Sequence, residues 1–313
     1  MTERILVTGA SGFVGRHLVA ALAGAGNDVV AASRNPASVG SQRRVELVRV
    51  PDLAQGIDWA PLLRDVAHVV HLAAIAHRGA ALSDEVYDRV NHLAVTELAA
   101  AASRAGVKRL VFISSIASQS GSAAAHALSE TDEPRPTTAY GRSKLAAEAA
   151  LRDSGVAHTI LRPVLVYGPN PPGNMRALMR LAATRWPLPF AALTGRRSLL
   201  SVDNLIGAIQ LAMTSPATRD ETYVIADLHA LTLPEIIAAL RAALGRPPGL
   251  FPLPPALLAN ALRLIGRHDL WQRLGGSLVV DPAKLAAAGW RPTVDTRAGL
   301  TAMMQAEADL AAR

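Results

Sequence analysis

The chain has 313 residues, half of them hydrophobic (50%), with no cysteine, a formal net charge of +7 and a sequence pI near 10.5. That length and apolar content bury a full core, with room for one large α/β domain and a smaller appended one, which excludes a disordered or fibrous protein. The lack of cysteine excludes disulfides and thiolate metal sites and suits a reducing compartment.

The first residues run directly into the strand-like RILVTGA, with no feature of a secretion signal. Apolar runs such as LPPALLANALRLIG are broken by Pro, Asn or Arg before they reach bilayer length, and LLANALRLIG reads as a packing helix. A cytoplasmic protein with no membrane partner is the resulting expectation. The basic residues are nearly all Arg, scattered singly or in pairs with few aromatics to stack on bases, so no nucleic-acid partner is expected. A small anionic ligand, or simply a solvated basic surface, accounts for the excess charge.

In chain order, β-branched runs at 5–9, 28–33, 45–50, 68–73, 109–114, 158–163 and 222–226 alternate with Ala/Leu-rich helical segments. This alternation predicts an α/β fold, a doubly wound parallel sheet with helices on both faces. After about residue 165 Pro-rich punctuation takes over, at YGPNPPGN, WPLPF, GRPPGLFPLPP and GWRP. One domain is expected over 1–165, rejoined by about 200–226, and a mainly capping domain over 166–313.

The first chemical motif is VTGASGFVGRHL, where Gly9, Gly12 and Gly15 follow a predicted strand and open a helix. Glycines there allow a tight turn and close approach of backbone to a pyrophosphate at the helix N-terminus, so 1–165 reads as a Rossmann dinucleotide-binding domain. The second signal is an absence. A strand that binds NAD usually ends in Asp or Glu for the ribose hydroxyls, whereas this one ends AASRN, with Ser33 and Arg34 in that place. A guanidinium beside a hydroxyl suits a 2′-phosphate, so NADP is the expected cofactor with NAD as the alternative. A solvated surface Arg is the plainer reading of Arg34.

The third is TTAYGRSKLAAEAAL, a helix of small packing residues that nonetheless carries Tyr140 and Lys144 four apart on one face. A phenol is a poor proton exchanger at neutral pH unless a nearby ammonium stabilises its phenolate. Tyr140 is thus a candidate acid or base and Lys144 its tuner; otherwise they are a packing phenol and a solvated ammonium.

The glycine pattern TGASGFVG, Asp52-Leu53, HLAA at 71–74, Asn91 in VNHLAVTELAAAA, ISS at 113–115 and YGRSK at 140–144 together resemble the extended short-chain dehydrogenase/reductase family. The likeness continues through LRPVLVYGP, GRRSLLSVDNL and AAGWRPTVDTRAGL. PLPFAALTGRRSLLSVDNL and FISSI are most similar to bacterial UDP-4-keto-6-deoxy-sugar reductases of the quinovosamine-forming kind. The resemblance implies dinucleotide contacts from Gly9, Ser11, Gly12, Phe13, Val14, Gly15, Ser33, Arg34, Asp52, Leu53, Leu72, Ala73, Ala74, Asn91, Tyr140, Lys144 and Pro163. It also implies that Lys144 holds the nicotinamide ribose, that Pro163 shapes the nicotinamide site and that Ser115 bonds the reacting oxygen. Asn174 and Arg197 match positions that contact a nucleotide diphosphate, with Arg196 able to exchange with Arg197, and Arg273 is a further candidate that reads equally as a surface Arg.

Between Ser114 and Ser115, the latter is the catalytic candidate, because it follows the strand at the carboxyl edge of the sheet. Dehydratases of this family carry an Asp-Glu pair next, where Ile116 and Ala117 stand here, so elimination of a sugar hydroxyl lacks an acid. His71 and His77 lack ligand-like spacing, and no metal is expected. The expected activity is NADP-dependent reduction of the C4 ketone of a UDP-linked 4-keto-6-deoxy sugar. A 4-epimerase with tightly bound NAD and a non-catalytic NADP sensor are the alternatives, and a homodimer is left open.

Overall fold

A computed structural model describes residues 2–76, 82–264, 266, 271 and 274–312. Seven strands form one parallel sheet: β1 (Arg4–Thr8), β2 (Asp28–Ser33), β3 (Val45–Arg49), β4 (His68–His71), β5 (Arg109–Ile113), β6 (His158–Pro163) and, after three short strands, β10 (Glu221–Ile225). Their order is β10-β6-β5-β4-β1-β2-β3. The first six strand positions follow the β-branched runs read from the sequence to within two residues at either end, because fully buried parallel strands have to be apolar on both faces.

The pleat divides these residues between two cores. Ile5, Val7, Val29 and Ala31 face one cluster with Leu18 and Leu22 of α1 (Phe13–Gly24). Leu6 and Val30 face the other, shared with Leu98 of α3 (Ala94–Arg104) and Leu151 of α4 (Ala139–Asp153). Helix α2 (Asp84–Tyr87) precedes a π-helical turn, Asp88–Leu93, that leads into α3. The first core also takes Leu205 and Ile209 of α6 (Val202–Thr214), so a segment beyond residue 165 returns to cover the sheet. The outer edge of β10 is blunted by side chains: Glu130 accepts the Val224 N–H (2.7 Å) and Lys284 donates to the Thr222 carbonyl (3.0 Å).

A third cluster lies in the later part of the chain. It joins Met175 and Met179 of α5 (Gly173–Ala183), Ile237 and Leu240 of α7 (Leu233–Ala242), and Leu300 and Met303 of the C-terminal helix (Thr296–Ala312). Two small strand pairs stitch this region, β7 (Leu165–Tyr167) with β9 (Leu199–Ser201), and β8 (Arg196–Arg197) with β11 (Leu231–Thr232). Asn204 at the start of α6 ties it to the sheet, donating to Asp227 (2.7 Å) and Val294 O (2.9 Å) and accepting the Thr293 and Val294 N–H groups. One expectation is corrected here. The segment read as a packing helix forms α8 (Pro255–Leu264), and none of its residues is buried, with Leu257 56% and Leu264 88% exposed. Its apolar periodicity marks an apolar face, but the cap core covers only part of it.

Candidate active site

Chain order reverses between β4 and β1, which opens a crevice at the carboxyl ends of the strands. The glycine loop fills this place. Gly9 has φ +69°, and a Cβ there would sit 2.7 Å from the Ala73 nitrogen, so only glycine fits between the loops that leave β1 and β4. The Gly12 N–H closes the turn onto Gly9 O (2.9 Å), and α1 begins at Phe13 with no side-chain cap and no acid in its first turn. Its first N–H groups and positive end are therefore left to an anion. Gly15 is buried, Phe13 and Val14 pack half-buried on the core, and the Ser11 carbonyl is held by Arg16. The Leu72 N–H bonds Thr8 O, the Ala73 N–H reaches the Thr8 hydroxyl (3.4 Å), and Ala74 follows exposed. His71 contributes no acid or base: fully buried, its Nδ1 against the Thr8 hydroxyl (2.9 Å), it is held neutral by burial first and the Lys144 charge second, with a pKa of about 3. His77 lies outside the described residues.

At the end of β2 the structure gathers Ser33, Arg34, Asp52 and Leu53. Ser33 is buried (3% exposed), and among the described residues its hydroxyl has no partner. Arg34 is exposed and pairs with the Asp52 carboxylate at 2.8 Å, a contact between residues too far apart in sequence for the strand pattern to suggest. Asp52 also caps the turn at Leu53 by accepting the Ala54 N–H (3.0 Å). That bond first, and then Arg34, hold its carboxyl below the usual range against the opposing effect of burial.

The end of β5 separates the two serines. Ser114 turns inward, buried, and donates to Glu148 (2.5 Å), whereas Ser115 is partly exposed and caps the turn at 116–118 by accepting the Ala117 N–H (3.1 Å). Helix α4 starts with Thr138 as its cap, accepting the Gly141 N–H (3.1 Å), and presses on that turn so closely that a Cβ at Gly141 would lie 2.1 Å from Ala117 O. The contact brings the Tyr140 phenol to the Ser115 hydroxyl, while the Tyr87 ring meets it edge-on with centroids 6.4 Å apart.

Lys144 lies beneath the pair, at the end of β5. Its ammonium is buried (1% exposed), donates to Ile113 O (2.9 Å) and lies 4.5 Å from the centre of the Phe112 ring. Burial lowers its pKa to about 7, partly offset by Glu148. Burial raises the Tyr140 phenol, the Ser115 hydrogen bond lowers it and the neighbouring Tyr87 raises it. The long side chain reaches the end of β5.

Asn91, buried in the π-helical turn, clamps Ile75 by both backbone groups (2.8 and 3.0 Å) and donates to Ser143 on α4 (3.1 Å). Pro163 ends β6 beside Ile225. Asn174 is exposed on the first turn of α5. The paired arginines part company: Arg196 turns to Ala230 O (2.8 Å) and Glu235, while Arg197 turns to Ser122 O (3.2 Å) in the segment that follows Ser115. Arg273 lies outside the described residues. Sequence reasoning missed the layer beneath α4. Glu148 is fully buried, grips Arg162 (2.5 Å), and accepts from both Ser114 and Ser118, while Arg162 also donates to Gln119 (2.7 Å). Its signal was Glu148, four residues after Lys144 in a helix of small residues. Among the described residues no cluster of His, Asp or Glu could hold a metal ion.

Known proteins resemble the chain over nearly its whole length. The chain is 33% identical to a UDP-glucose 4-epimerase of Vibrio cholerae over 98% of this chain and 96% of that protein. It is 28% identical to a ceramide reductase of Caulobacter vibrioides over 86% of this chain and 78% of the other. Its fold superimposes on MoeE5 in complex with UDP-glucose and NAD with a TM-score of 0.77, at 27% identity over 98% of this chain and 99% of that one. Residues 5–226 match the model of one family, and the chain belongs to it: the NAD dependent epimerase/dehydratase family.

Proposed function

We propose that the protein reduces the C4 ketone of a UDP-linked 4-keto-6-deoxy sugar with NADPH. The observation that carries the chemistry is the partly exposed Ser115–Tyr140 pair at the crevice, with Lys144 buried beneath it. The crevice fits a dinucleotide on its own terms: a loop with no room for a Cβ at Gly9, an uncapped helix start free of acid, and a buried Ser33 hydroxyl without a partner among the described residues. Gly9, Ser11, Gly12 and the start of α1 would hold the pyrophosphate, Ser33 and Arg34 the adenosine ribose and its 2′-phosphate, and Lys144 and Pro163 the nicotinamide end. When bound, the dinucleotide supplies hydride to the C4 carbon.

Tyr140 supplies the proton. Its O–H bond breaks as the C4 oxygen takes the proton, and the phenolate recovers one from solvent. Ser115 hydrogen-bonds the same oxygen and fixes its direction. A phenol raised by burial stays protonated at neutral pH, the form a general acid needs. In the cap, Arg197, turned toward the segment after Ser115, and Asn174 would meet the nucleotide diphosphate.

Preference for the phosphorylated nucleotide rests on the missing acid at the end of β2. The exposed Arg34–Asp52 pair does not oppose it. Such surface pairs are worth about 0–1 kcal/mol, so a dianionic phosphate can take the guanidinium from a monovalent carboxylate. A second reading, a 4-epimerase with retained NAD, is favoured by the similarity to the Vibrio cholerae enzyme. Absorbance at the nicotinamide band decides between them. The UDP-4-keto sugar should oxidise NADPH stoichiometrically and NADH poorly; interconversion of UDP-glucose with its C4 epimer, without net NADPH consumption, would replace the first reading with the second.

A further inference from the structure

Helix α8 presents an apolar face that is exposed among the described residues. Leu258 packs half-buried on the cap core, whereas Leu257, Ala261 and Leu264, spaced i, i+4 and i+7, form an exposed stripe along the helix. The segment leading into it is bonded to the loop after α5: the Leu188 N–H reaches Gly249 O (2.9 Å), the Phe251 N–H reaches Leu188 O (3.0 Å), and Arg241 donates to Trp186 O (2.8 Å). These adjoining strips expose Phe251 (42%) and Trp186 (77%). Four large apolar side chains in water on neighbouring segments are costly unless something covers them.

The charge says what kind of surface that is. Residues 154–202 contain six Arg and residues 236–268 four, and neither stretch contains a single Asp, Glu or Lys. Arg185 and Arg263 are exposed beside the apolar residues, and Arg246 is half-exposed. A second copy of the same face would bring arginines against arginines, so self-pairing is disfavoured. An exposed Trp, a leucine stripe and the arginines beside them suit the boundary of an anionic bilayer, where the ring sits at headgroup depth and the guanidinium groups meet phosphates. Among the described residues no helix is long and apolar enough to cross a membrane, so this face would lie on the surface.

We propose that α8, together with Trp186 and Phe251, is a peripheral docking face for an anionic phospholipid bilayer. The test is flotation of the full chain with vesicles of phosphatidylcholine alone and of phosphatidylcholine mixed with phosphatidylglycerol. The protein should float with the mixed vesicles, lose that association as salt rises, and stay behind with neutral ones. The double variant L257S/L264S should lose at least roughly tenfold in vesicle partitioning, and Arg185→Ala roughly fivefold. Both should keep the wild-type thermal midpoint, which shows that they fold. Absence of the wild type from the anionic vesicles, or undiminished flotation of L257S/L264S, would overturn the assignment. So would a double variant that changes the oligomeric state in light scattering, because the face would then be a protein interface.

Discussion

Replacing Lys144 with Met removes a charge that the fold holds at a cost, and the cost has a pH signature. The ammonium is 1% exposed, and burial lowers its pKa from 10.5 to about 7. At about 1.36 kcal/mol for each pH unit, this difference corresponds to about 5 kcal/mol of lost stability. The sign follows from linkage. The unfolded chain binds this proton up to about pH 10.5, and the folded one releases it near pH 7. Wild-type stability therefore carries the full penalty below about pH 7 and sheds it as the pH rises toward 10.5. Methionine has no such dependence and fills much of the same volume, so the stability of Lys144→Met minus that of wild type should shrink by about 2.5 kcal/mol between about pH 6 and about pH 9. Other titrating groups and the lost Ile113 and Phe112 contacts cancel in this comparison. Urea unfolding of both proteins at the two pH values, with no nucleotide added, measures it directly. A difference that stays constant with pH would refute the buried ammonium.

Tyr140→Phe should reduce turnover by about two to four orders of magnitude with an unchanged thermal midpoint, since only the transferable proton is lost. Ser115→Ala should slow turnover and move the alkaline limb of the pH–rate profile upward, because it removes the hydrogen bond that lowers the phenol; a limb that stays in place would separate the serine from the titration. Arg197→Ala should weaken UDP binding by about 1.5–3 kcal/mol in equilibrium titration, while Arg196→Ala, turned toward Ala230 and Glu235, leaves it intact. Glu148→Gln should destabilise the fold by about 3–5 kcal/mol in denaturant unfolding, because Arg162 would remain buried without its counter-charge.

The sheet was legible because its strands are buried on both faces and can only be written in apolar, β-branched residues. The loop at Gly9–Gly12 was legible because Gly9, at a positive φ and against the Ala73 nitrogen, admits no other residue. What escaped the sequence was pairing across distance. Arg34 is eighteen positions from Asp52, and Glu148 fourteen from Arg162; nothing local distinguishes a paired charge from a solvated one. The spacing of Tyr140 and Lys144 placed them on one face, but helical period is silent about the strand-end carbonyl of Ile113 that the ammonium meets. For α8 the failure is of the same kind: apolar spacing announces a face and is silent about what covers it.

The two titrating groups at the crevice bear on the direction of the chemistry. A reductase starts from a ketone and needs a proton in place; a 4-epimerase starts by removing one from a sugar hydroxyl. Burial raises the Tyr140 phenol, and the Lys144 charge that would favour a phenolate is itself weakened by burial and turned toward Ile113. With both effects acting the same way, the protonated phenol is the resting form, and removing its proton at neutral pH is uphill. The Ser115 hydrogen bond acts the other way and lowers the phenol, so it bears on the balance between acid and base. A site arranged in this way gives up a proton readily to a developing alkoxide and takes one from an alcohol only when the positive nicotinamide of an oxidised dinucleotide stands beside it. The state of the dinucleotide in the crevice, reduced and exchanged at each turnover or oxidised and retained, therefore sets which of the two the phenol does.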